Sequence, residues 1–217
     1  MDKSACVVYL AKTSNLNEDD LFKEYGDSFS KERLERINKK PCGKVKKELI
    51  FAGALLSKAL KLQGIDSPCF YYKENKKPYL KGQDVFFNLS HSGVYVGVAI
   101  GNKEIGFDIQ KPVLNVSKSL INRILTKEEA VLYKELKVSF NEIWAIKESY
   151  SKLTGEGISL NFKEISYKKE NIDLKIDILK NGIKEATGCV IDLPLNYKAS
   201  LCVKDNLESV NVVFLDL

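Results

Sequence analysis

Apolar and polar positions alternate with a period of two along several stretches of the chain, which is typical of β-strands. Residues 94–100 alternate in this way, and the β-branched stretch "CVVYLA" near the start predicts a further strand. "EIGFDIQ" alternates as well. We therefore expect Ile105, Phe107 and Ile109 on one face of a strand and Asp108 on the other.

Other stretches show helical signals. "KERLERI" and, after a break at "KKPCGK", "VKKELIFAGALLSKALKLQG" predict two helices within residues 31–61, the second stopped at Gly64. Thr126 followed three residues later by Glu129 is a capping box that opens another helix. "NEIWAIKESYSKL", residues 141–153, predicts one more. Four strands are then expected in "SLNFKEISYK", "IDLKIDIL", "YKASLCVK" and "VNVVFLDL".

This order of elements is strand, helices, strands, and then the same again. It predicts an α+β fold built from two similar α+β halves, residues 1–104 and 105–217. No low-complexity linker separates them, so we expect the halves to pack closely.

Composition narrows the class of protein. The 217 residues are 44% hydrophobic and 29% charged, as in ordinary soluble domains. No apolar run has the length of a membrane span, and the N-terminus resembles a first strand more than a signal peptide. Five scattered cysteines without a C-x-x-C pair, and one histidine, argue against zinc and fit reduced thiols in the cytoplasm. The net charge of +5 permits an anionic partner without identifying it.

The helix over 141–153 carries candidate chemistry. Trp144, Glu148 and Lys152 follow one another at four-residue spacing, opposite an apolar stripe that includes Ile143. One interpretation is a solvated face with a Glu–Lys pair contributing about 0.3–0.5 kcal/mol. The alternative is a cleft or partner interface, because a large aromatic away from the core suggests a second buried surface.

Asp108 is a second candidate because aspartate is disfavoured within strands. Either the strand has one exposed face, or the carboxylate binds a metal. Mg²⁺ is usually held by one or two carboxylates together with substrate phosphates. Asp108 and Glu148 could supply these, and Gln110 lies on the same strand face as Asp108.

Basic residues are concentrated in residues 31–47, where Arg33 and Arg36 are one helical turn apart and could grip a phosphate. A solvated helix surface is the plainer interpretation. The single histidine, His91 in "FNLSHSG", is either a surface turn residue or a ligand contact.

Three segments taken together, "FNLSHSG", "IGFDIQ" and "WAIKESYSKLTGEGISL", resemble the motifs of the Sfp-type 4′-phosphopantetheinyl transferases, and "KKP" at 76–78 resembles a fourth. The resemblance implies a pseudodimer of two α+β halves with coenzyme A between them. It also implies Mg²⁺-dependent transfer of 4′-phosphopantetheine from coenzyme A to a serine of an acyl or peptidyl carrier protein, releasing adenosine 3′,5′-bisphosphate.

By position, the resemblance makes Asp108 and Glu148 metal-binding carboxylates, Glu148 also the base, and Lys152 a catalytic contact to the pyrophosphate. The implied coenzyme A contacts are Arg33 and Arg36 at the 3′-phosphate, Lys77 and Pro78 near the adenine, Ser90 and His91 at a phosphate, and Lys47. Gln110 stands where many members have a second acid, so it is a doubtful third metal ligand.

Two alternatives remain open. A non-catalytic binder of coenzyme A or of carrier proteins could use the same scaffold, and a nucleic-acid-binding module could use residues 31–47. The low net charge and the lack of interleaved aromatics disfavour the second. We therefore expect no nucleic-acid or membrane partner, a cytoplasmic monomer, and a carrier from fatty-acid, polyketide or nonribosomal-peptide synthesis.

Overall fold

The computed structural model describes residues 5–14, 16–74, 77–169 and 175–217, so Lys76 of "KKP" lies outside the described residues. Within these ranges the helices are α1 Glu18–Tyr25, α2 Lys31–Asn38, α3 Lys44–Leu62, α4 Lys118–Ile124, α5 Lys127–Lys134 and α6 Phe140–Thr154. The strands are β1 Ala5–Lys12, β2 Phe70–Tyr72, β3 Pro78–Leu80, β4 Phe86–Ser92, β5 Tyr95–Gly101, β6 Ile105–Gln110, β7 Ile165–Lys169, β8 Lys175–Lys180, β9 Ile183–Leu193, β10 Tyr197–Val203 and β11 Ser209–Phe214.

Two sheets, each covered by one long helix, form the body of the protein. The first has the order β11-β1-β5-β4 and packs against α3, and the second has the order β6-β10-β9-β8-β7 and packs against α6. The predicted α+β class is confirmed. The boundary at 104/105 falls between β5 and β6, although β11 returns to pair with β1 in parallel. The division into two domains stays a prediction.

Three apolar clusters hold these layers together. One lies between α3 and the first sheet, one between the two sheets, and one beneath α6. Ile105, Phe107 and Ile109 are fully buried in the middle cluster, as the alternation predicted. Burial of a side chain of this size contributes about 1.5–3 kcal/mol to stability. Because these three side chains point into the middle cluster, the other face of β6, with Gly106 and Asp108, is turned toward α6.

The edge strands β4 and β6 of the two sheets are joined through side chains. Three side-chain oxygens of β4 each accept a hydrogen bond from a backbone N–H at or just after β6: Asn88 Oδ1 from Phe107 (3.1 Å), Ser90 Oγ from Ile109 (3.1 Å) and Ser92 Oγ from Lys111 (3.0 Å). These bonds satisfy N–H groups that would otherwise lack a partner at the junction. They also fix the register of one half against the other.

The helix predictions are largely confirmed. Helices α2 and α3 are separated at the predicted break, and Gly64 adopts a left-handed φ of 77° just beyond α3. The capping box of Thr126 and Glu129 is present at α5. Helix α6 ends at Gly155, whose φ of 78° is left-handed. No helix in the described part of the chain is long and apolar enough to cross a membrane.

One expectation was wrong and one is met only in part. The Trp144 ring centroid lies 5.7 Å from that of Phe140 and 6.0 Å from that of Phe162 beside the cluster beneath α6, whereas Glu148 and Lys152 on the same helix line a cleft. "SLNFKEISYK" does not start as a strand: short 3-10 turns occupy Gly157–Ser159 and Phe162–Glu164 before β7 begins.

Candidate active site

A cleft of about 390 Å³ opens between α2, α3 and β4 on one side and α6 on the other, and it collects most of the predicted site residues. Those that line it are Arg33, Arg36, Lys77, Pro78, His91, Glu148 and Lys152. Ser90 and Asp108 are buried next to it, in contact with Lys152. Lys47 lines a neighbouring cavity of about 340 Å³, which shares His91 with the cleft, and it pairs with Glu18 at 3.0 Å.

Asp108 is buried in β6 and surrounded by donors. Its Oδ1 accepts hydrogen bonds from Ser90 Oγ at 2.8 Å and from Lys152 Nζ at 2.7 Å. Its Oδ2 accepts one from Gln110 Nε2 at 2.7 Å. A buried carboxylate is tolerated only when it is paired and hydrogen-bonded, and these three contacts meet that requirement. The exposed-face interpretation of this strand is therefore wrong.

Lys152 reaches from α6 to both edge strands. The three N–H donors of its ammonium group are shared among four oxygens: Asp108 Oδ1, Ser90 Oγ at 3.0 Å, Phe107 O at 3.1 Å and Leu89 O at 3.3 Å. The side chain keeps 29% of its surface exposed. Lys152 thus ties α6 to the junction and also presents positive charge to the cleft.

Glu148 lies one turn before Lys152 on α6. Burial raises the pKa of its carboxyl above the usual value, and the negative charge of Asp108 raises it further, whereas Lys152 lowers it. A raised pKa makes a carboxylate a stronger base near neutral pH.

The close approach of α6 to β6 depends on Gly106. A Cβ atom at this position would lie 1.9 Å from the backbone oxygen of Ser149. The glycine of "IGFDIQ" therefore has a packing role: it lets α6 come close enough for Glu148 and Lys152 to share a site with Asp108.

Arg33 places a guanidinium group on the opposite wall. Its Nη1 donates to the backbone oxygen of Leu49 at 2.8 Å. Burial lowers its pKa to about 10, with a smaller contribution in the same direction from Arg36. Gly53 of α3 makes room, because a Cβ there would lie 2.9 Å from Arg33 Cδ. A half-buried guanidinium group such as that of Arg33 favours an anionic ligand.

Lys77 and His91 complete this wall. Lys77 Nζ donates to the backbone oxygen of Ile105 at 3.0 Å, and burial lowers its pKa. Burial also lowers the pKa of His91, while Glu48, whose Oε2 lies 3.6 Å from His91 Nδ1, acts in the opposite direction. The predicted contacts of the N-terminal half thus form one wall of the cleft, where Arg33, Arg36 and Lys77 carry positive charge and His91 becomes charged only in acid.

Comparison with known proteins finds similarity to one family of enzymes. The profile of the 4′-phosphopantetheinyl transferase superfamily matches residues 104–186, which include Asp108, Glu148 and Lys152. A 4′-phosphopantetheinyl transferase of Bacillus subtilis is 26% identical over 203 residues, 90% of this chain and 89% of its own. This chain is thus similar to 4′-phosphopantetheinyl transferases over most of its length. The sequence-based assignment to this class of enzymes is thereby confirmed.

Two further relatives carry the same name. The transferase gsp of Aneurinibacillus migulanus is 28% identical over 69% of this chain and 66% of its own length. The transferase Sfp of Bacillus subtilis strain 168 is 26% identical over 73% of each chain.

The metal-binding prediction can be tested against the donor atoms that the site offers. In the described part of the chain no three His, Cys, Asp or Glu side chains form a metal-binding group. The pair that remains, Asp108 and Glu148, lies close enough for one charge to affect the other. Two carboxylates beside a cleft lined by basic residues fit Mg²⁺. Gln110 contacts Asp108 as a hydrogen-bond donor, and its role as a ligand stays a prediction.

The sequence analysis missed Lys147, which precedes Glu148 in this transferase. Its ammonium group is fully buried and donates to Ile124 O and Phe162 O, each at 2.8 Å, and lies 2.6 Å from Glu129 Oε2. The sequence signal that pointed to Lys147 was Glu129 of the capping box, whose Oε2 accepts a hydrogen bond from the Thr126 N–H and also pairs with Lys147. Lys147 anchors α6, and with it Glu148, to the neighbouring segments.

Proposed function

We propose that this protein transfers the 4′-phosphopantetheine arm of coenzyme A to a serine hydroxyl of an apo acyl or peptidyl carrier protein, with release of adenosine 3′,5′-bisphosphate. The names of its relatives support the reaction class. The observation that carries the proposal is a single cleft with basic side chains on one wall and the carboxylates of Asp108 and Glu148, with Lys152, on or next to the other.

The cationic wall binds the phosphates of coenzyme A. Arg33 and Arg36 hold the 3′-phosphate, since arginine offers several donors in a planar fork that matches phosphate oxygens. Lys77 and Pro78 lie beside the adenine, and His91 contacts a phosphate. Desolvation has already weakened the charged forms of Arg33, Lys77 and His91, so a bound dianion restores favourable interactions that water no longer supplies.

The opposite wall performs the chemistry. The carrier serine oxygen forms a bond to the phosphorus of the pantetheine arm, and the bond from that phosphorus to the adenosine bisphosphate breaks. The serine proton passes to Glu148, whose raised pKa suits it to accept that proton. Lys152 stabilises the negative charge that spreads over the phosphoryl oxygens.

Asp108 and Glu148 would hold Mg²⁺, which when bound neutralises phosphoryl charge and helps to align the pyrophosphate.

We also propose that the enzyme acts as a cytoplasmic monomer. All five cysteines are free, which fits a reducing compartment. Light scattering coupled to size-exclusion chromatography should give the mass of one chain, and a dimer mass would contradict the proposal.

The function is tested by incubating the purified protein with coenzyme A, Mg²⁺ and an apo carrier protein and weighing the carrier by intact mass spectrometry. We expect a gain of one phosphopantetheine group that EDTA abolishes. Coenzyme A binding without any gain on several apo carriers would instead establish a non-catalytic binder.

A further inference from the structure

The hydroxyl of Ser90 has no hydrogen-bonding capacity left for a substrate. A serine hydroxyl has one hydrogen to donate and two lone pairs to accept with. Ser90 Oγ donates to Asp108 Oδ1 at 2.8 Å, and it accepts from Ile109 N at 3.1 Å and from Lys152 Nζ at 3.0 Å. All three positions are occupied by protein groups.

The burial of Ser90 also argues against a contact with substrate. Ser90 is 4% exposed, whereas its neighbours Leu89 and His91 both line the cleft. A phosphate could reach Ser90 Oγ only by displacing Lys152 or Asp108 from it. Either displacement would break a hydrogen bond to a charged group, at a cost of about 1.5–3 kcal/mol.

From this geometry we infer that Ser90 is a positioning residue, which orients the Asp108 carboxylate and the Lys152 ammonium, and that it is not a contact of coenzyme A. The inference rests on the proposed function, because Asp108 and Lys152 act in that reaction. Ser90 joins three elements at one atom: β4 carries it, β6 supplies Asp108 and Ile109, and α6 supplies Lys152. Ser90 therefore sets the geometry of the wall that carries Asp108 and Lys152, and of the pair Ser90 and His91 only His91 lines the cleft.

Removal of this oxygen has specific consequences. In Ser90→Ala, Asp108 Oδ1 loses a donor, Lys152 loses an acceptor and the Ile109 N–H loses its partner. The carboxylate is then less firmly oriented. Hydrogen-bond partners of metal ligands typically contribute about 10- to 100-fold in metal affinity or activity. We expect a loss in that range in metal affinity and in kcat, with the affinity for coenzyme A unchanged.

Ser92 provides a matched control. Its Oγ accepts the Lys111 N–H at 3.0 Å in the same set of bonds between the edge strands, and Lys111 is exposed. Ser92→Ala removes one bond of the junction while leaving all contacts of Asp108 in place. A difference between the two variants therefore reports on Asp108 and Lys152 rather than on the junction as a whole.

The test measures three quantities on wild type, Ser90→Ala and Ser92→Ala: coenzyme A affinity by calorimetry in EDTA, Mn²⁺ affinity by electron paramagnetic resonance as a probe of the metal site, and kcat with an apo carrier. We expect Ser90→Ala to lower Mn²⁺ affinity and kcat about tenfold or more, with Ser92→Ala near wild type. If Ser90→Ala does not fold, Ser90→Cys, a close isostere with a weak donor, should show the same pattern.

Two results would overturn the positioning role of Ser90 and leave the proposed function standing. One is a loss of coenzyme A affinity in Ser90→Ala with Mn²⁺ affinity unchanged, which would make it a substrate contact. The other is equal behaviour of Ser90→Ala and Ser92→Ala. A wild-type protein that binds neither coenzyme A nor Mn²⁺ would overturn the proposed function together with this role.

Discussion

The two walls of the cleft differ in how their charged groups are satisfied. On the N-terminal wall, Arg33, Lys77 and His91 all have pKa values lowered by burial, and the hydrogen bonds shown for Arg33 and Lys77 go to backbone oxygens. On the other wall, Asp108 and Lys152 pair with each other, and Ser90 and Gln110 complete the contacts of Asp108.

This difference separates two tasks. A wall of partly buried basic groups gains free energy when an anion arrives, which is what binding requires. A wall of mutually satisfied groups changes little on binding and holds its atoms in fixed positions, which is what catalysis requires. Substitutions on the first wall should therefore affect affinity, and those on the second should affect turnover.

The largest effect is expected for Glu148→Gln. Loss of a general base typically costs about 100-fold or more in rate, and loss of a metal ligand adds to this. We expect kcat to fall by at least that factor while coenzyme A binding in EDTA is retained. Glu156→Gln, an exposed position just beyond α6 that pairs with Lys180, is the control. Equal kcat for Glu148→Gln and wild type would remove Glu148 from the mechanism.

Gly106→Ala should push α6, which carries Glu148 and Lys152, away from β6, which carries Asp108. The added Cβ meets the Ser149 oxygen, so α6 must move away from β6. Overpacking of this kind costs roughly 3 kcal/mol, which lowers Tm by about 6–12 °C in a chain of this size. Gly26→Ala, where the Cβ would lie 3.7 Å from the Phe22 ring, is the control. Unchanged Tm and kcat in Gly106→Ala would contradict the packing role.

Arg33→Ala should affect binding alone. A lost hydrogen bond to a charged group costs about 1.5–3 kcal/mol, or about 10- to 100-fold in the Kd for coenzyme A. The affinity for 3′-dephospho-coenzyme A should barely change. Arg123→Ala, an exposed arginine on α4, controls for net charge. Equal losses for both ligands would show that Arg33 does not contact the 3′-phosphate.

His91→Gln should have the smallest effect, a severalfold loss confined to acidic pH. Because burial lowers the pKa of His91, its positive charge forms only below pH 6.5, its ordinary value. Wild-type affinity for coenzyme A should therefore gain relative to His91→Gln as the pH falls below 6.5. Parallel pH profiles of the two proteins, measured by calorimetry, would return His91 to the surface-turn interpretation.

The sequence predicted the long elements and the composition of the site, because both depend on local signals. Helices α3 and α6 followed from apolar periodicity and end signals, and Asp108 was conspicuous as an acid within an apolar strand. In contrast, β9 was missed although it spans Ile183–Leu193. A glycine within a strand often marks close approach of a second backbone, and a Cβ at Gly188 would lie 2.6 Å from the oxygen of Leu201 on the neighbouring strand.

The contacts within the site could not be predicted, because they depend on which atoms of distant segments meet. Ser90 lies next to His91 in the sequence, so both were assigned to coenzyme A, but only His91 lines the cleft. Helices α1 and α4 were missed because each is short, eight and seven residues, and is stabilised mainly by tertiary packing.

The most direct test of two walls with separate tasks is calorimetric titration of coenzyme A, in EDTA, into wild type, Arg33→Ala and Glu148→Gln. Without metal, the measured affinity reports the contacts of coenzyme A with the basic wall and contains no contribution from bound Mg²⁺. We predict a loss of at least about tenfold in affinity for Arg33→Ala and wild-type affinity for Glu148→Gln. Equal losses in the two variants, or a loss in Glu148→Gln alone, would contradict the account.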